Sequence, residues 1–185
     1  MSGSPSDAPA GGRTLERHER WQGRTITVLS VRVALPNGNE VELDVVHHPG
    51  AAAVVPLDAD GMVLLVRQYR HTVRDWLLEV PAGKLSPGED PSACARRELE
   101  EEAGVRAATW RELGSILVSP GFCDERIWLF LATDLSPGEQ RLEADEVLAL
   151  ERLPLAEAER RALAGELVDA KSTCAILRAA ALLRR

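Results

Sequence analysis

Three glutamates, Glu98, Glu101 and Glu102, stand close together in a stretch that otherwise reads as an amphipathic helix. Asp90 suits an N-cap, Pro91 suits the first helical turn, and Gly104 stands where a helix would end in a left-handed residue. At roughly 100° per residue, Ala95, Leu99 and Ala103 form one apolar stripe. The three glutamates lie beside that stripe, within an arc of about 100°. Carboxylates three and four residues apart repel, by roughly a few tenths of a kcal/mol per pair. Such a face is either a solvated charged surface or a set of ligands for a cation. Mg²⁺ and Mn²⁺ prefer carboxylate oxygen, water and substrate phosphate, so the chemistry this spacing could support is metal-assisted attack on phosphate.

The flanking residues decide between the two. Gly83, five residues, Glu89, seven residues, then Arg97-Glu98-Leu99-x-Glu101-Glu102-x-Gly104-Val105 follow in order. This pattern resembles the Nudix box at every defined position, and the resemblance covers roughly Ala51 to the C-terminus. It implies an α/β/α sandwich with a mixed sheet, and hydrolysis of nucleoside diphosphates linked to a second moiety. Carried over residue by residue, it makes Glu98 and Glu102 metal ligands, with the Ala82 carbonyl and Glu101 completing the shell around Mg²⁺ or Mn²⁺. Glu89 and Arg97, of opposite charge, would orient the loop against the helix, and Gly83 and Gly104 would be structural.

Three further blocks narrow the substrate. Val66-Arg67-Gln68-Tyr69-Arg70, Glu79-Val80-Pro81-Ala82-Gly83, and Ser119-Pro120-Gly121-Phe122-Cys123-Asp124-Glu125 resemble the ADP-ribose pyrophosphatase branch, with Pro120 fifteen residues beyond Val105. Arg67 and Arg70 are three apart on a strand, so they point to opposite faces; the resemblance favours Arg70 as the diphosphate contact, with Arg67 the alternative. Glu79 would contact substrate or a metal-bound water, and Gly121 would lie against substrate. Glu125 would contact ribose hydroxyls or pair on the surface near Arg126. The branch takes its general base from a loop well after the box, here Gln140 to Glu146. Glu146 is the first candidate and Glu143 the second, since Ala144 interrupts the acidic run of the relatives. Glu101 is carried as a third acidic candidate for catalysis. Relatives are homodimers whose N-terminal sheet contributes to adenine binding, which makes Trp21 and Arg24 candidate base contacts. The implied activity is Mg²⁺-dependent hydrolysis of ADP-ribose to AMP and ribose 5-phosphate. The alternatives are another nucleoside diphosphate sugar, such as GDP-mannose, or a nucleotide sensor without turnover. Sensors commonly lose box glutamates, and all three are present here.

Positioning these residues needs a scaffold, and the rest of the chain reads as one. Residues 1–12 (MSGSPSDAPAGG) have no apolar or basic region, so they read as a disordered tail and not a signal peptide. Residues 13–50 read as an N-terminal β region. In it Arg24–Leu35 alternates loosely, Pro36-Asn37-Gly38-Asn39 turns, and Val41–Val46 continues as a hairpin. A lone hairpin is marginal, so it should dock on a partner subunit or on the main domain. His47-His48-Pro49-Gly50 reads as a linker, the adjacent histidines being poorly spaced for a metal. Over residues 51–185, Ala51–Leu57, Met62–Tyr69, Trp76–Val80, Thr109–Val118, Arg126–Ala132 and Val147–Leu153 read as strands. Leu155–Leu167 and Lys171–Leu183 read as helices. Strands interspersed with helices predict a mixed sheet covered on two faces.

At 185 residues with 45% apolar content, the chain can bury a sizeable core. A net charge of −7 argues against non-specific nucleic-acid binding. It leaves a phosphate substrate open, because metal and local arginines set the field of a site. Cys94, Cys123 and Cys174 fit reduced thiols of a cytoplasmic protein, and no apolar run approaches membrane-spanning length.

Overall fold

The computed structural model describes residues 11–142 and 146–184. Most of the expected tail (residues 1–10) and the candidate base Glu143 lie outside the described residues. The contact pattern divides the chain into two units, residues 1–48 with 119–125, and residues 49–118 with 126–185.

The first unit is an antiparallel three-stranded sheet in the order β1 (Arg13–Gln22), β2 (Thr27–Ala34), β3 (Glu40–His47). The β2–β3 hairpin forms where the alternation places it. Its turn is closed by Gly38 N–H to Leu35 O (2.9 Å), with Gly38 at φ 86°. Strand β1 lacks apolar alternation, so the sequence does not announce it. It is an exposed outer strand held by backbone pairing to β2 and by cross-strand ion pairs, Arg32 to Glu16 among them. Residues 119–125 pack on the end of β3: Val46 N–H bonds Phe122 O (2.7 Å) and Asp124 N–H bonds Val46 O (3.1 Å). His47 and His48, expected as linker, face carboxylates of that segment. His47 Nδ1 lies 2.6 Å from Asp124, and His48 Nδ1 lies 3.5 Å from Glu125.

Among the described residues the second unit carries two sheets and three helices. One sheet has the order β7 (Ala82–Lys84), β4 (Ala51–Pro56), β9 (Arg126–Pro137), β8 (Val105–Leu117), with β4 and β9 parallel and the other pairs antiparallel. The other has the order β10 (Leu148–Pro154), β5 (Met62–Arg70), β6 (Asp75–Glu79), all antiparallel. Helix α1 (Pro91–Ala103) covers one face, where its Cys94, Ala95, Leu99 and Ala103 meet Ala52 and Val54 of β4 and Phe130 of β9. Helices α2 (Leu155–Leu163) and α3 (Ala170–Leu183) cover the other face, burying Ala158, Ala175 and Ile176 against Ala53, Val55 and Leu129. Strand β4 is therefore buried on both sides, which is why it reads as an unbroken apolar run instead of alternating. The mixed sheet between helices is the α/β/α arrangement the sequence implies.

Four details differ from what the sequence implies, the first being that β9 runs on past Ala132 to Pro137. The short strand β7, at the start of the box, forms only because β4 offers it a partner edge. Strand β8 begins at Val105, directly after the box helix, not at Thr109. Helix α2 stops at Leu163 because Gly165 takes a left-handed φ of 74°, and Leu167 turns into the core.

Candidate active site

The box helix starts and stops as its punctuation dictates. Asp90 caps it by accepting from Ser92 N (2.9 Å) and Ala93 N (3.3 Å). Gly104 ends it at φ 64°, ψ 28°. Burial of Ala95, Leu99 and Ala103 fixes its rotation, and that rotation drives Glu98 and Glu102 inward while Glu101 stays half-buried. Glu98 is 7% exposed and Glu102 is 2% exposed. The Ala82 N–H donates to Glu102 Oε2 at 2.9 Å, which ties the end of the preceding loop to the helix.

Gly83 lies directly under the Glu98 carboxylate, where a Cβ would stand 1.9 Å from Oε1. The box glycine is thus required by close approach and not by an unusual φ. Arg97 fans across three carboxylates. Its Nε and Nη2 donate to the two oxygens of Glu89 (3.0 Å each), and its Nη1 donates to Glu98 Oε1 (2.6 Å) and Glu101 Oε2 (3.0 Å). Glu89 also accepts from Ser86 N at 2.9 Å, so the loop is closed onto the helix by this arginine–glutamate fork.

Glu146 reaches the same place from the loop before β10. Carboxylate oxygens of Glu98, Glu102 and Glu146 all lie within 4.8 Å of one another. Among the described residues Glu101 is not in that group, and its carboxylate is turned to Arg97. Burial pushes Glu102 up to about 8, against the pull of the Ala82 N–H, and the charges of Glu98 and Glu146 add to the rise. Burial likewise raises Glu98, opposed by Arg97. Two buried carboxylates and a third beside them, with more negative charge than the nearby arginine offsets, fit a hard divalent cation.

A second group of charges adjoins the cluster. Arg70 on β5 forks onto Glu79 on β6, with Nε to Oε1 at 2.8 Å and Nη2 to Oε2 at 2.7 Å. Arg70 is held above the ordinary arginine range first by that bond, and the charges of Glu102 and Asp169 reinforce it. Arg67, on the opposite face of β5, bonds Glu151 of β10 at 2.7 and 3.0 Å. Glu79, expected to touch substrate or a metal-bound water, is 1% exposed, and both its oxygens are engaged by Arg70. A second cation on Glu79, Lys171 at the start of α3, is not singled out by any local spacing in the sequence. The signal that could have found it is Glu79 itself: a carboxylate at the end of an apolar strand needs a cation.

In the first unit, Trp21 is 56% exposed with its ring over Gly23, Arg24 and Gly121 are exposed, and Glu125 pairs with His48; the neighbouring Arg126 bonds Ser115.

A family model described as the NUDIX domain matches residues 46–174. The chain belongs to the NUDIX family. An ADP-ribose pyrophosphatase of Bacillus subtilis is 36% identical over 166 residues, covering 89% of this chain and 90% of that protein. A methanol dehydrogenase activator of Bacillus methanolicus is 37% identical with the same coverage. An ADP-ribose pyrophosphatase of Mycobacterium tuberculosis is 42% identical over 151 residues, covering 79% of this chain and 72% of that protein. The fold resembles the crystal structure of an ADP compounds hydrolase, with a TM-score of 0.82, 24% identity and 97% of each chain covered. In this NUDIX hydrolase, Glu98, Glu102 and Glu146 form an acidic group of a kind that could hold a metal ion.

Proposed function

We propose that this NUDIX protein hydrolyses the diphosphate of ADP-ribose to AMP and ribose 5-phosphate. The observation that carries the reading is the convergence of Glu98, Glu102 and Glu146, two of them on the box helix and one from a distant loop. The names of the relatives from Bacillus subtilis and Mycobacterium tuberculosis support the choice of substrate.

Glu98 and Glu102, with the Ala82 carbonyl, would hold a divalent cation, Mg²⁺ or Mn²⁺. When bound, it supplies positive charge to the diphosphate oxygens and to an attacking water. Arg70 keeps three N–H donors beyond its fork with Glu79, and these bind and orient the diphosphate. Glu146 accepts the proton as water oxygen bonds to phosphorus, and the bond from that phosphorus to the bridging oxygen breaks. Arg97 and Glu89 hold the loop so that Ala82 and Glu98 keep their places. In the first unit, Trp21 and Arg24 are proposed to contact the adenine of a substrate bound in a homodimer, with Gly121 and Glu125 on the ribose side.

Among the described residues no helix is long and apolar enough to cross a membrane. The net charge of −7 and free Cys94, Cys123 and Cys174 support a cytoplasmic enzyme acting on a small molecule and not on nucleic acid.

The test is a substrate panel with Mg²⁺: ADP-ribose, GDP-mannose, NADH and diadenosine polyphosphates. AMP and ribose 5-phosphate are expected fastest from ADP-ribose. Preference for another nucleotide would keep the chemistry and discard the substrate. Binding of ADP-ribose without turnover would make the chain a sensor. The Bacillus methanolicus relative favours a second reading, stimulation of a methanol dehydrogenase, checked by adding the protein to such an enzyme's assay.

A further inference from the structure

Helix α3 begins beside the end of β6, and two residues of its first turn, Lys171 and Ser172, reach Glu79 and Val80. Asp169 caps the helix by accepting from Ser172 N at 2.9 Å. The Ser172 hydroxyl donates to Asp169 and accepts from Val80 N at 2.8 Å. Lys171 Nζ donates to Asp169 Oδ2 at 3.0 Å and to Glu79 Oε2, the same oxygen that Arg70 Nη2 engages. The lysine side chain is 11% exposed and the Glu79 side chain 2%, against 38% for Arg70. Of the two cations on Glu79, one is therefore enclosed and the other faces outward.

We propose that Lys171 is a positioning residue for Arg70, setting through the shared Glu79 carboxylate the plane in which the guanidinium meets the diphosphate. This rests on the reading of Arg70 as the diphosphate contact. A carboxylate held only by Arg70 could turn about its own side chain and take the guanidinium with it. Pinned by Lys171, which Asp169 and the helix cap hold in turn, it presents a fixed pair of oxygens. The fork then orients the remaining N–H donors of Arg70 before substrate arrives. Burial by itself would raise Glu79, but its bonds to Arg70 and Lys171 hold it below the ordinary carboxylate range, so it stays ionised for both cations.

The experiment is a double-mutant cycle on ADP-ribose hydrolysis, with Lys171→Met, Arg70→Ala and the pair, each checked by melting temperature. Lys171→Met is expected to raise KM for ADP-ribose about tenfold with a smaller change in kcat, as loss of one charge-assisted bond to a binding group should. In the Arg70→Ala background the same change should shift KM less than about twofold. Lys171→Arg should recover most of the loss. A full tenfold effect of Lys171→Met on top of Arg70→Ala would overturn the proposal, since the lysine would then act independently. So would a lowered melting temperature with unchanged KM, the mark of a merely structural role. Failure of the underlying reading looks different: Arg70→Ala alone would leave KM at the wild-type value. If Lys171→Met melts below the assay temperature, Lys171→Gln, which keeps a donor without the charge, carries the same cycle.

Discussion

The Glu98 carboxylate rests on the Cα of Gly83, so close that a Cβ on residue 83 would stand 1.9 Å from Oε1 and 2.1 Å from the carboxyl carbon. The atoms in the way are the end of a side chain and not backbone, so Gly83→Ala should displace Glu98 and leave the fold in place. Melting temperature should change little, while kcat/KM for ADP-ribose falls about 100-fold and the Mg²⁺ requirement rises, as expected for a ligand moved by about 1 Å. Kinetics like wild type at low Mg²⁺ would remove Glu98 from the metal site.

Glu102 makes the metal-free protein sensitive to pH. An unfolded glutamate titrates near 4.5, whereas folding pushes this one up to about 8. Between those values the folded state holds a proton that the unfolded state has lost, so stability falls as pH rises through the window. Melting scans in EDTA should show that decline, Glu102→Gln should flatten it, and Mg²⁺ should reverse it. Glu102→Gln should also lose most turnover. If it kept a kcat near wild type, its ligand role would be wrong.

Glu146→Gln should lower kcat by about 10²-fold or more with little change in KM, because it removes a proton acceptor and not a binding contact. Steady-state kinetics at saturating Mg²⁺ separate the two. An unchanged kcat would move the role of base to Glu143.

Arg97→Lys keeps the charge and loses the fork onto Glu89. At a bidentate site this is not a conservative change, and a cost of about 1 kcal/mol is expected in denaturant midpoint. Hydrogen exchange should rise in residues 83–90, the loop that Glu89 and Ser86 close. Activity should fall less than in Glu102→Gln, since Arg97 holds the loop and touches no reacting atom.

Relations that run a few residues along the chain were legible in the sequence by itself. Asp90 and Gly104 mark the ends of the box helix because capping and left-handed termination depend on local geometry. Its Ala95, Leu99 and Ala103 stripe sets which face goes inward, and so which glutamates are buried, because helical periodicity is an angle per residue. Strand parity separated Arg70 from Arg67 for the same reason. Relations between distant residues were not legible. The pairing of Lys171 with Glu79 joins residues 92 apart, and Glu146, a candidate only through the family resemblance, meets the helical Glu98 and Glu102 from a distant loop. Strand β1, without alternation, exists because β2 offers it an edge. His47 and His48 meet Asp124 and Glu125 only where the chain returns to β3. Charges carry no address along the chain; burial and topology decide which of them meet, and only the tertiary structure supplies those.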